Sequence, residues 1–153
     1  METIIANTVS EALDNLDFTY CQEGEVFKTI LGDDEVDFRI NIIADEENEL
    51  LLIIGYFPIR ISKVNLEKMC KVINELNSQY MVGCFVIDPE DGELTFRLTN
   101  NVDGCAINEQ IVRVSYYQVG MRMRNTYQDI MKALYGGEQY TFTFANNDKE
   151  NCA

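Results

Sequence analysis

The chain has 153 residues, 46% of them hydrophobic, enough for one domain around one core. Its 26 acidic residues against 12 basic ones give a formal charge of −14, which argues against counterion displacement from nucleic acid or an anionic membrane. Histidine is absent, so an imidazole can neither activate a serine or cysteine nor bind zinc or haem.

Cysteines stand at 21, 70, 84, 105 and 152. An odd, dispersed set without a CxxC pair suits neither a disulfide framework nor a structural zinc site. The opening METIIANTVSEALDNLD has acids and no basic segment, unlike a signal peptide. No apolar run approaches the roughly eighteen residues of a membrane span. The expectation is a protein of a reducing cytoplasm, with no membrane and no nucleic-acid partner.

Thr3 to Leu16 reads as a first helix, with an apolar stripe of Ile4, Ile5, Thr8, Ala12, Leu13 and Leu16. A strand-rich block follows. Phe18 to Cys21 alternates, Gln22-Glu23-Gly24 turns, and Val26 to Leu31 extends. After the turn signal Gly32-Asp33-Asp34, Val36 to Ile42 alternates strictly, which predicts one buried face. The acidic loop 45–49 leads into Leu50-Leu51-Leu52-Ile53-Ile54, a run too continuous for a strand with one wet face. Strands joined by two to five turn residues pair antiparallel, so this block is a meander.

Pro58 removes an N–H and bars regular pairing, making a corner. Beyond it Ser62 is placed to cap a helix whose apolar positions are Leu66, Met69, Ile73 and Leu76, with Glu67, Lys68, Lys71 and Glu75 facing water. Gly83–Ile87 and Glu93–Leu98 flank Asp88-Pro89-Glu90-Asp91-Gly92, a strong hairpin signal. Asn100 to Gly104 reads as loop, and Asn108 can cap a long helix over Glu109 to Tyr135. One stripe on it is Val112, Tyr116, Val119, Met123, Tyr127, Ile130 and Leu134; a second includes Ile111, Val114, Tyr117 and Met121. Gly120 could interrupt it, and Gly136-Gly137 stop it. Tyr140 to Phe144 alternates again before a polar end.

No constellation carries chemistry. The runs Asp33-Asp34-Glu35, Asp45-Glu46-Glu47 and Asp88-Pro89-Glu90-Asp91 lack the order of a calcium loop, and turn formation explains them. Neither a phosphate-cradling glycine loop nor a paired-carboxylate site is marked out. No catalytic residue, metal ligand or cofactor is therefore expected. The most suggestive feature is the surplus of tyrosine and methionine on the long helix. Tyr116, Tyr117, Met121 and Met123 are the candidate partner-binding residues, with intramolecular core packing as the competing reading.

The strand-to-helix unit Leu50 to Asn77 has Pro58 at its corner and Ile73-Asn74-Glu75-Leu76-Asn77 closing its helix. With Gly83 to Asp88, Asp91 to Arg97 and Ile111 to Gly136, it resembles the YbjN family of bacterial proteins described as sensory transduction regulators. The resemblance spans about Thr3 to Gly137. It implies an α+β domain of the type III secretion chaperone-like fold, helices against an antiparallel sheet in the order α-β-β-β-α-β-β-α. Residues 1–137 form that domain and 138–153 a C-terminal extension. It also implies a homodimer that binds a protein or peptide, chaperone-like or regulatory and not an enzyme. A small-molecule sensor or minor enzyme using a groove between helix and sheet is the alternative, and a structural subunit of a larger complex is a third reading.

Overall fold

The computed structural model describes residues 2–32, 34–103 and 106–136. Helix α1 (Ile4–Asn15) leads into strands β1 (Cys21–Glu23), β2 (Val26–Gly32), β3 (Asp37–Asp45) and β4 (Leu50–Arg60). A 3-10 turn (Lys63–Asn65) and helix α2 (Leu66–Gln79) follow, then β5 (Cys84–Ile87), β6 (Glu93–Asn101) and helix α3 (Glu109–Tyr135). The six strands form one antiparallel sheet in the order β1-β2-β3-β4-β6-β5. The first of the three strand groups before α2 is thus a hairpin, turning at Gly24-Glu25 with Gln22 and Glu23 still inside β1.

Alternation divides the sheet cleanly. Phe27 and Thr29 of β2, Phe38, Ile40, Ile42 and Ala44 of β3, and Leu51, Ile53 and Phe57 of β4 are buried on the helix side. Phe85 of β5 and Leu94, Phe96 and Leu98 of β6 complete that side. All three helices cover this one face, and their side chains join it in a single hydrophobic cluster. Burial of each large apolar side chain there stabilises the fold by roughly 1.5–3 kcal/mol.

Helix α3 lies over the sheet centre. Tyr116, Val119 and Met123 point down, and Tyr127 meets Phe38 with ring centroids 5.6 Å apart. Gly55 of β4 makes the close approach possible, because a Cβ there would run into the Met123 Sδ. Asn108 caps α3 as expected, accepting the Ile111 N–H at 3.0 Å. The helix is continuous through Gly120 and ends at Tyr135, where the Gly136 N–H donates to the Lys132 carbonyl. The segment 138–153 lies outside the described residues.

Several local expectations are corrected. On α1 the core positions are Ile5, Ala6, Val9, Ala12 and Leu13, while Ile4 is exposed, so the stripe is rotated from the one read in sequence. On α2, Val72 joins Met69, Ile73 and Leu76 in the core, and Leu66 is only half-buried. Ser62 does not cap α2. Its Oγ accepts from the Asn65 side chain at 3.2 Å, a 3-10 turn intervenes, and the helix starts at Leu66. Pro58 does not end β4, but the ladder with β6 slips between Tyr56 and Arg60 where its N–H is missing. Past that slip the Ile61 N–H bonds the Gly92 carbonyl at 2.8 Å, pinning the β5–β6 turn. Gly92 has a positive φ of 76°, and any Cβ on it would strike Ile61 backbone atoms. Asn100 and Asn101, read as loop, extend β6 and pair with Leu51 and Leu50.

Candidate functional site

The two stripes of α3 have different fates. Tyr116 (1% exposed) and Met123 (0%) belong to the core, so of the four candidate contact residues these two are taken up inside the fold. The Tyr116 hydroxyl is 2.7 Å from Thr29 Oγ1, which also lies 2.8 Å from the Ile40 carbonyl. Thr29 has a single hydroxyl proton and gives it to that carbonyl, so Tyr116 is the donor in the pair. Burial pushes the Tyr116 phenol above its ordinary pKa.

Tyr117 (41%) and Met121 (52%) remain on the surface. With exposed Val114 they make a stripe at i, i+3 and i+7 along one flank of α3. Phe18, from the segment between α1 and β1, packs its ring 6.2 Å from Tyr117 and holds that flank in place. Among the described residues, the buried side chains of Tyr116, Val119 and Met123 pack into the space between α3 and the centre of the sheet.

A second uncovered surface was not read from the sequence. The sheet face opposite the helices carries, in successive rows set by the strand register, Val26, Ile43, Leu52 and Thr99; then Lys28, Asn41, Ile54, Arg97 and Cys84; then Ile30, Arg39, Tyr56, Thr95 and Val86. Ile30 is 72% exposed, and Ile43, Leu52, Tyr56 and Val86 are half-buried. Ile54 is 8% exposed yet lies outside the core cluster, screened only by its neighbours on this face. The continuous apolar run of β4 predicts burial of both faces. It reflects instead one covered face and one uncovered apolar face. A cleft of about 350 Å³ opens where β4 slips, lined by Asp37, Arg39, Tyr56, Pro58, Arg60 and Glu93.

Two of the three carboxylate runs do turn chemistry, while Glu35 of the third accepts from the Gln128 side chain at 2.8 Å. Asp45 accepts the Asn48 backbone and side-chain amides at 3.0 and 2.9 Å, and both hold its carboxyl below its ordinary pKa. Asp88 accepts the Glu90 N–H at 2.9 Å. Asp91 accepts the Glu93 N–H and pairs with Arg60 at 2.9 Å, so its pKa is lowered too. Among the described residues no helix is long and apolar enough to cross a membrane.

Solved structures share this fold. A chain in the structure of the HopA1–SchA chaperone–effector complex superposes with a TM-score of 0.56 at 12% identity, covering 78% of this chain and 89% of that one. The crystal structure of YbjN, described as "a putative transcription regulator from E. coli", gives 0.53 at 11% identity over 85% of this chain and 88% of that one. No curated protein sequence matches the chain. At these identities the superpositions establish the fold, the α+β chaperone-like architecture that the sequence resemblance implied. Membership rests on the sequence itself: the model of the YbjN family, described as "Putative bacterial sensory transduction regulator", matches residues 6–115, and the chain belongs to that family.

Proposed function

We propose that this protein is a non-enzymatic, chaperone-like or regulatory domain that binds another protein or a peptide, and that it works as a cytoplasmic homodimer. The observation that carries the reading is the uncovered stripe of Val114, Tyr117 and Met121 on α3. Apolar side chains at helical spacing, held rigid by Phe18 and the core beneath, are what a partner surface needs. Methionine adapts to varied partners, and tyrosine brings a large contact area with few rotatable bonds. Tyr117 and Met121 are the contact residues in this reading, with Tyr116 and Met123 setting the helix on which they stand. The known company of the fold, a chaperone–effector complex and a YbjN described as a regulator, supports a binding role over a catalytic one.

The test is light scattering on the purified protein together with screening of a peptide library. The wild type is expected to run as a dimer and to retain a subset of peptides. Tyr117→Ser with Met121→Ser is expected to weaken one or both at unchanged stability. A protein that retains no peptide overturns the binding reading, and a monomer overturns the homodimer.

A further inference from the structure

We infer that the uncovered sheet face takes an extended, acidic segment of a partner protein, with two carboxylates spaced to meet Arg39 and Arg97 and an apolar residue between them. The inference rests on the peptide-binding reading and adds the chemistry of the partner and a place for it.

The middle of this face is basic. The chain carries 26 acidic residues, yet the two central rows, Lys28 to Cys84 and Ile30 to Val86, hold Lys28, Arg39 and Arg97 and no carboxylate, while Asp37 and Glu93 stand in the next row at the rim. Lys28 is neutralised by Glu23 at 2.7 Å. Among the described residues neither arginine has a carboxylate within salt-bridge distance. Both are nevertheless held in position. The Arg39 guanidinium stacks 4.1 Å from the Tyr56 ring centroid, and the Arg97 Nε donates to Thr95 Oγ1 at 3.2 Å. A guanidinium fixed by stacking or by its Nε keeps terminal N–H donors for a bidentate carboxylate. Between the two, half-buried Tyr56 and the edge of Ile54, 8% exposed, offer apolar contact, and the side-chain oxygen of Asn41 beside Ile54 is buried without a hydrogen-bond partner among the described residues.

Register gives the spacing. Arg39 on β3 pairs with Tyr56, and Arg97 on β6 pairs with Ile54, so the arginines stand two strands and one row apart. At about 4.8 Å per strand and about 6.7 Å per row this is on the order of 12 Å. An extended segment rises about 3.3 Å per residue and shows every second side chain to one side, so carboxylates at i and i+4 with an apolar residue at i+2 fit.

The experiment is a nitrogen–proton NMR titration with three synthetic peptides, one containing Glu-Ser-Leu-Ser-Glu, one with the two glutamates three positions apart, and one with lysine for glutamate. The first is expected to shift the side-chain Nε signals of Arg39 and Arg97 and the amides of Ile54 and Tyr56. The other two are expected to bind more than about tenfold more weakly. Arg39→Glu with Arg97→Glu should abolish binding of the first and let the lysine peptide bind. Equal shifts from all three peptides, or tighter binding of a single-stranded oligonucleotide to the same arginines, overturn the inference. If the library of the preceding section yields peptides that ignore Arg39 and Arg97, the inference fails while the binding reading stands; if no peptide binds at all, both fail.

Discussion

The side-chain amide of Asn77 closes on both backbone groups of Phe85. Its Nδ2 donates to the Phe85 carbonyl at 2.9 Å, and its Oδ1 accepts the Phe85 N–H at 2.7 Å. The last residues of α2 thereby complete the outer edge of β5, a sheet edge that would otherwise offer both groups to another chain. Leu76, one position earlier, is fully buried. The leucine-asparagine pair that supported the family resemblance is thus an anchor and an edge cap, with no chemistry to perform.

Asn77→Ala should destabilise the fold by about 1–3 kcal/mol, because two half-buried backbone groups lose their partners. Urea denaturation measures this, and amide exchange at Phe85 should quicken more than exchange at Phe96. An unchanged Phe85 exchange rate would show that the cap does not hold the edge.

Gly55 and Met123 should behave as a coupled pair. Gly55→Ala drives a methyl into the thioether and should cost about 1–3 kcal/mol, and Met123→Ala about 2–5 kcal/mol through the cavity it leaves. The double variant should be more stable than the sum predicts, since the methyl then occupies part of that cavity. A double-mutant cycle showing simple additivity would rule out the contact.

Gly120→Ala should contrast with Gly55→Ala. The new methyl would meet the tip of the half-buried Leu31 side chain, which can turn aside, and helix propensity favours alanine by about 1 kcal/mol. The net change should fall within about 1 kcal/mol of zero by thermal denaturation.

Tyr116 gives the protein an alkaline weakness. Its pKa is raised in the folded state, so the unfolded chain loses the phenol proton first, near the ordinary tyrosine value of about 10. The contribution is fully present below that pH and is lost as pH rises through the folded value. Tyr116→Phe should cost about 1 kcal/mol at neutral pH through the missing bond to Thr29, and the difference from wild type should narrow above pH 10. Parallel stability curves for the two proteins across that range would refute it.

Periodicity made α3 legible end to end, because a 27-residue helix averages over local irregularities, and Asn108 marked its start. The β5–β6 hairpin was legible from Asp91-Gly92. Exposure was not. Tyr116 and Tyr117 are adjacent and identical in type, and only the docking of α3 on Gly55 decides which is sealed and which is bare. The uncovered sheet face escaped notice for a similar reason: Leu52 and Ile54 look like core in a linear reading, and their register against Asn41, Arg39 and Arg97 exists only once β3 and β6 have found β4. Ser62 misled because a serine before Lys63-Val64-Asn65 fits a 3-10 start as readily as an α-helical cap.

The seat of α3 over Gly55 also dictates the order in which the molecule can be completed as it is made. Every strand emerges before the helix that seals the centre of the sheet, so Ile53, Gly55 and Phe96 wait in the open until Val119 and Met123 have been synthesised. At about 5–20 residues per second, that interval on the ribosome lasts seconds. During it the nascent chain displays a greasy half-finished sheet, exposed until α3 is made.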